Sequence, residues 1–359
     1  MFDAGAAFEA AEAFRPGRTP TRIDPLGNGH IHATFLVGYP DSGRDLVLQR
    51  LNVDVFPDLG GVMRNLVRVT EHLRGRSAGA VLEVVPGREG EFLARDREGG
   101  VWRAFRYLTG TYTLDVAPND DVARTAACAF GQFAAALDDL DPTSLAVPIA
   151  HFHDLPARLE QMEVAARADR CGRLAAVREE FDATRRLGEV IAGALEAGGV
   201  GQLPRRAVHN DCKLNNLLFD HDTGQPVCVV DLDTVMPGTL LVDFGELVRT
   251  SGCDAAEDER DLSRVVVSER RIAALAQGYL AGVKEASTSE ELALLWAGPP
   301  WMAIENAARF MADHLAGDRY FVSGDNRARA RTQRYLAARL WDARGVLRES
   351  LAAAAGRAF

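Results

Sequence analysis

Cysteine is scarce in this chain and shows no pairing pattern. Cys128, Cys171, Cys212, Cys228 and Cys253 are odd in number, scattered, and without a Cys-x-x-Cys spacing. A disulfide framework and a thiolate zinc site are therefore excluded. No apolar run approaches the ~20 residues that span a bilayer. The opening residues Met1-Phe2-Asp3-Ala4-Gly5 lack the basic stretch of a secretory signal. An excess of positive charge is missing too: Lys and Arg number 41 against 51 Asp and Glu, a net charge of −10 over 359 residues. A surface of that sign repels phosphate backbones, so nucleic acid is not an expected partner, and an anionic nucleotide would need a local cationic site. Repeats and low-complexity tracts are absent, and the acidic run 254–261 reads as a solvated loop. The expectation is a reduced, cytoplasmic enzyme, monomeric or a small homo-oligomer, with no membrane association.

Hydrophobic residues make up 47% and charged residues 26% of the chain, an ordinary globular composition, and the length suits two packed lobes. A short amphipathic helix ending near Pro16-Gly17 reads as a lead-in. Strand patterns follow at 21–26, 33–37 and 45–51, then a helix over 58–76 with Val62, Leu66, Val69 and Leu73 on one face. Strand patterns return at 80–85, 91–95 and 101–108, the last two joined by a hairpin-like turn. We expect an α+β chain: residues 1–108 as a small nucleotide-binding lobe with a five-stranded antiparallel sheet plus a helix, and residues 109–359 as a larger, mainly helical catalytic and substrate-binding lobe. In the second lobe Ala126, Phe130, Phe133, Leu137 and Leu140 form one apolar stripe and Trp301, Ile304, Ala308, Met311 and Leu315 another. Short strands are expected at 217–219 and 227–230, with helices resuming from residue 268.

Chemistry concentrates in residues 208–233. His209-Asn210-Asp211-Cys212-Lys213-Leu214-Asn215-Asn216 places an Asp five residues before an Asn, and Asp231-Leu232-Asp233 closes the next apolar run fifteen residues later. An enzyme holding Mg²⁺ and a nucleoside triphosphate, with one carboxylate taking a proton from an acceptor hydroxyl, needs residues of these types. Asp211 is the candidate base and His209 a brace for its loop. Lys213 would neutralise charge on the transferring phosphate. Asn216 and Asp231 would supply hard oxygen to Mg²⁺, and Asp233 is a second ligand or an orienter. Asp243-Phe244-Gly245 spells the metal-binding tripeptide of protein kinases, but Asp231 follows a cleaner strand, so Asp243 is read as a bracing residue.

The nucleotide-binding candidates lie in the first lobe. Gly27, Gly29 and His30 sit in a turn between two strands, where glycines let backbone amides approach phosphates. Gln49 and Arg50 end the following strand, and alternation decides which faces the cleft. Glu71 is the candidate partner of Arg50, and Tyr107 closes the lobe. In the second lobe, His153 and Asp154 precede a helix. Glu305 and Arg309, four apart, read on composition as a surface ion pair, with sugar recognition by Arg309 and Asp313 as the alternative.

These motifs resemble the aminoglycoside phosphotransferase and choline kinase superfamily. The forms His209-Asn210-Asp211-Cys212-Lys213-Leu214-Asn215-Asn216 and Asp231-Leu232-Asp233-Thr234-Val235-Met236-Pro237-Gly238 are similar, more narrowly, to N-acetylhexosamine 1-kinases. Supporting matches include Val47-Leu48-Gln49-Arg50-Leu51-Asn52, Phe152-His153-Asp154 and the segment from Glu305 to Asp318. The resemblance implies a two-lobed protein-kinase-like fold that uses ATP and Mg²⁺. Asp211 would be the base and the acceptor an N-acetylhexosamine (GlcNAc or GalNAc) phosphorylated on its anomeric hydroxyl. It also implies that Asp154, Arg309 and Asp313 line the sugar site. Two departures stand out: His32 where relatives often carry Asn, and Ala307-Ala308 in place of a Gly-containing pair. The rival readings are the same fold acting on an aminoglycoside, a choline-like alcohol or another sugar, and a nucleotide-binding module without catalysis.

Overall fold

The computed structural model describes residues 4–357 except 16, 28–30, 41–43, 78, 322 and 323, and it divides into two units. The first comprises Met1–Tyr112, Leu145–Pro148 and Leu218–Asp233; the second comprises Thr113–Ser144, Ile149–Leu217 and Thr234–Phe359.

In the first unit, α1 (Ala4–Phe14) precedes β1 (Arg22–Pro25), β2 (Ala33–Gly38) and β3 (Leu46–Arg50). Helix α2 (Leu59–Leu73) follows, then β4 (Val84–Val85), β5 (Ala94–Arg95), β6 (Val101–Arg106) and β7 (Thr111–Tyr112). The main sheet runs β1-β2-β3-β6-β4 with β5 also on β6, so it has six strands rather than the five expected. The hairpin-like turn expected between the strands at 91–95 and 101–108 is folded by the Asp96 carboxylate, which accepts from the N–H groups of Glu98 and Gly100 and from Trp102 Nε1. All the pairings are antiparallel.

Strand alternation divides the sheet into two faces. Leu46, Leu48, Trp102 and Ala104 point one way and pack with Phe35 and Val37 against Ala6, Ala7, Ala10, Ala11 and Phe14 of α1. The N-terminal helix is therefore one wall of a core, not a lead-in. Its alanines keep it close to the sheet, and burying Phe14 contributes roughly 1.5–3 kcal/mol. Arg103 and Phe105 lie on the opposite face, where the Arg103 guanidinium is 4.0 Å from the Met63 sulfur of α2. Asp58 caps α2 by accepting from the Gly61 N–H.

Two later segments complete this unit. The hairpin of β9 (Leu217–Asp220) and β10 (Pro226–Val229) forms a three-stranded sheet with β7, and Ala80 N–H donates to Val227 O at 2.7 Å. The Asn65 amide clamps Ala146 through both its carbonyl and its N–H, at 2.9 and 2.8 Å. A boundary at residue 108 leaves out both attachments.

The second unit is mostly helical. Its helices are α3 (Asp120–Ala136), α4 (Leu155–Ala168), α5 (Arg178–Ala197), α6 (Leu240–Ser251), α7 (Glu269–Val283), α8 (Ser289–Leu294), α9 (Gly298–Ala316), α10 (Asn326–Asp342) and α11 (Arg344–Ala355). Strands β8 (Arg206–Val208) and β11 (Met236–Gly238) pair antiparallel. Helices α3 and α7 touch backbone to backbone: a Cβ on Gly278 would lie 2.0 Å from Arg124 O, and one on Gly131 2.3 Å from Tyr279 O. Helix α6, which sequence patterning missed, is buried along almost its whole length, so it has no polar face to give a 3.6-residue period. No helix among the described residues is long and apolar enough to cross a membrane.

Candidate active site

In the second unit the loop after β8 is held from several directions. Asn210 adopts φ +64°, a left-handed conformation that Asn tolerates better than most residues. Asp243, in the first turn of α6, is fully buried and accepts from the N–H groups of His209 and Asn210 at 3.1 and 2.7 Å. Burial raises its pKa, more than the nearby His209 and the two N–H donors lower it. Asn210 Nδ2 donates to Thr234 O at 2.9 Å, and the Thr234 hydroxyl donates to His209 O at 2.8 Å. His209 is buried with the edges of Phe130 and Phe133 around its ring, and its Nδ1 accepts from Asp211 N–H at 3.2 Å. That bond assigns the ring proton to Nε2. His209 and Asp243 thus brace the loop that carries Asp211.

The Asp211 side chain is 22% exposed. Its Oδ2 lies 2.9 Å from Lys213 Nζ and accepts from Asn216 Nδ2 at 3.1 Å. Asn216 Nδ2 also donates to Asp211 O at 2.9 Å. Both side-chain grips fall on Oδ2, which leaves Oδ1 as the oxygen able to take a proton. Burial acts to raise the Asp211 pKa, but the Lys213 ammonium and its hydrogen bond, with the Arg249 charge behind them, bring it below the ordinary value. Because Asn216 commits its NH₂ to Asp211, its amide oxygen turns away from the carboxylate.

The first unit holds a second acidic cluster. Asp231 has φ +58° and an exposed side chain. Two residues on, Asp233 is buried and fully engaged. Arg103 donates to it in a two-pronged pair at 2.5 and 2.8 Å, and His32 Nε2 donates at 2.8 Å. His32 Nδ1 accepts from Asn52 N–H. Arg103 Nε donates to Gln49 Oε1, and Gln49 Nε2 donates to the Thr34 hydroxyl. Burial raises the Asp233 pKa, but the Arg103 charge and the His32 bond press it far below the usual range. Of the two roles expected for Asp233, second metal ligand or orienter, these three donors on its two oxygens favour the orienter. Gln49 shares the face of Arg103 and Asp233. Arg50 lies on the other face, over the Trp102 ring at 5.9 Å, with Asp96 and Glu98 each 3.9 Å away. Glu71 is exposed and is not its partner. Gly27 adopts φ +72°, whereas Gly29 and His30 lie outside the described residues. Tyr107 N–H donates to Asp45 O.

The acceptor candidates belong to the second unit. His153, at φ +57°, is buried between Glu305 Oε1 at 3.2 Å from Nδ1 and Asn210 O at 2.8 Å from Nε2. Two acceptors require a proton on each nitrogen, so the ring is cationic. Burial lowers its pKa, but the charge and hydrogen bond of Glu305 more than offset that and raise it. Glu305 is fully buried and also accepts from Trp301 Nε1 at 3.1 Å, so the expected surface pair with Arg309 does not form. Arg309 instead donates to Asn306 Oδ1, its guanidinium 5.9 Å from the Phe152 ring and 5.4 Å from that of Phe321. Asp154 caps α4 by accepting from Ala157 N–H and pairs with His151. Asp313 is buried and accepts from the N–H groups of Arg319, Tyr320 and Phe321 and from Asn326 Nδ2. With its oxygens so occupied it shapes a loop; it is not free to grip a sugar hydroxyl.

The sequence profile of the phosphotransferase enzyme family matches residues 22–294, about three quarters of the chain. The chain belongs to that family. Solved phosphotransferases and kinases share its fold at low identity. A microcompartment-associated aminopropanol kinase is 18% identical, with TM-score 0.65, covering 96% of this chain and 99% of its own. A choline/ethanolamine kinase family protein from Mesorhizobium loti is 18% identical, with TM-score 0.54, covering 97% and 98%. A spectinomycin phosphotransferase in complex with ADP and spectinomycin is 12% identical, with TM-score 0.54, covering 94% of each chain.

Two site residues of this phosphotransferase escaped sequence reasoning. Arg103 interrupts an otherwise apolar strand, Val101-Trp102-Arg103-Ala104-Phe105, and a charge at a buried position demands a counter-ion. That signal was available. His32 stood out only as a departure from the resembling sequences, and its bond to Asp233, which joins positions 201 residues apart, left no local trace.

Proposed function

We propose that this phosphotransferase moves the γ-phosphoryl group of ATP to the anomeric hydroxyl of an N-acetylhexosamine, with Asp211 as the base. The observation that carries the reading is the one-sided grip on Asp211: Lys213 and Asn216 hold Oδ2, the carboxylate stays ionised, and Oδ1 remains for a proton. An anomeric hydroxyl is somewhat more acidic than an ordinary alcohol, so a carboxylate is an adequate base. Lys213 keeps Asp211 charged before transfer and lies next to the charge that develops on the acceptor side.

Each unit offers an oxygen donor whose chemistry suits Mg²⁺. The Asn216 amide oxygen, turned outward by its own NH₂ bonds, and the exposed Asp231 carboxylate are both hard oxygen donors. When bound, the ion would neutralise charge on the β- and γ-phosphates. Arg103 and His32 set the position of Asp233 and so of the short turn carrying Asp231. The spectinomycin phosphotransferase, which binds ADP, supports a nucleotide donor. The donor this reading requires is the cytoplasmic ATP pool.

The test is a panel of N-acetylhexosamines, neutral hexoses, aminoglycosides and amino-alcohols with ATP and Mg²⁺, the product position being assigned by phosphorus and proton NMR. Phosphate at C1 of an N-acetylhexosamine is expected. Transfer only to another hydroxyl, or only to an amino-alcohol, would reject the assignment.

A further inference from the structure

Four arginines and one carboxylate, Asp313, gather around one cavity of the second unit. The cavity has a volume of about 440 Å³ and is walled by α4, α9 and the segment that follows α9. Arg158, Arg170, Arg309 and Arg319 line it, with Tyr320 and Phe321 as aromatic walls. Arg158 and Arg309 are partly buried and have only neutral hydrogen-bond partners. Arg158 donates to Gln161 Oε1 at 2.9 Å and Arg309 to Asn306 Oδ1 at 3.3 Å. Arg158 Nε is buried with no hydrogen-bond partner among the described residues. Burial, and then the Arg309 charge, act against the Arg158 cation and outweigh the favourable charges of Glu305, Tyr320 and Asp154.

The nearby carboxylates are spent. Asp313 is engaged by the loop, Asp318 by Arg173 and Asn326, Glu305 by His153 and Trp301, and Asp154 by His151 and the Ala157 N–H. Two half-buried guanidinium groups that repel each other, one with an orphaned N–H, are unfavourable until an anion arrives. Arginine presents the fork that carboxylate and phosphate match. The volume suits a small ligand, and the aromatic walls suit the C–H face of a pyranose ring. A chain of contacts within this unit links the cavity wall to the Asp211 loop: Arg309 lies over Phe152, and the next residue, His153, hydrogen-bonds Asn210 O immediately before Asp211.

We infer that this cavity receives an anionic substituent, a carboxylate or a phosphate, carried by the acceptor, which makes the preferred substrate an acidic N-acetylhexosamine. The inference rests on the sugar-kinase reading for the rest of the acceptor. A cationic acceptor such as an amino-alcohol would meet like charge here.

Calorimetric titration of the full chain without ATP tests it, using N-acetylglucosamine, N-acetylglucosaminuronic acid and N-acetylglucosamine 6-phosphate. At least one acidic sugar should bind about tenfold more tightly than the neutral one at low salt, and the arm that does so separates carboxylate from phosphate. Arg158→Gln should erase that advantage. Arg158→Lys, the safer variant for folding, should reduce it, because an ammonium lacks the fork. Equal binding of all three sugars, or an advantage untouched in both variants, overturns the inference. Because no phosphoryl transfer is involved, failure of the kinase reading would register separately, as a lack of C1 product from every sugar.

Discussion

Asp233 of the first unit and Asp211 of the second are both aspartates held ionised by a neighbouring cation, yet they differ in how much of the carboxylate is used. Asp233 is 3% exposed, and three nitrogens from Arg103 and His32 occupy both of its oxygens. Asp211 is 22% exposed and is gripped through one oxygen. Engagement of both oxygens suits the first to a structural peg; an open oxygen is what the proposed base requires of the second. The local sequence does not separate them, since each follows a short apolar strand.

The comparison can be broken most severely at Arg103. Arg103→Leu strands a buried carboxylate and should destabilise the chain by about 3–5 kcal/mol in chemical denaturation. The double variant Arg103→Leu with Asp233→Leu should recover much of that loss. A cost under about 1 kcal/mol for the single change would mean that Asp233 is not a peg. Asp211→Asn should behave oppositely: turnover falls at least ~10²-fold while nucleotide binding persists, and stability shifts by less than about 1 kcal/mol, as for other partly exposed pairs. Near-normal turnover would remove Asp211 from the role of base.

A smaller effect concerns pH. The raised pKa of His153 means that its bond to Glu305 contributes fully below the unfolded value of about 6.5. The contribution is then lost as pH rises through the folded value. Thermal unfolding followed across that window should show a decline in the parent chain that His153→Gln lacks; parallel curves would contradict a cationic ring. The smallest effect is expected at Glu71. With Arg50 paired to Asp96 and Glu98, Glu71→Ala should alter stability by no more than about 0.5 kcal/mol and leave turnover unchanged.

Much of this was legible in the sequence. The alternation in 46–50 and 101–106, the helical stripe of α2 and the spacing around Asp211 each follow a local rule. What escaped was set by distance or by burial. Helix α6 is apolar on all sides and so carries no period. Glu305 and Arg309 stand four apart and read as a surface pair, but the first finds His153 across 152 residues and the second settles between aromatic rings. Asp313 looked like a sugar ligand because its need for backbone donors arises only once the loop beyond α9 has folded back on it.

That loop has a consequence for how the family diversifies. Asp313 grips positions 319, 320 and 321 by their main-chain N–H groups, which every residue except proline supplies. The side chains there can be exchanged while the course of the loop persists. A single carboxylate at this position would then let the cavity wall be rewritten for a differently charged or differently shaped acceptor without disturbing the loop's course.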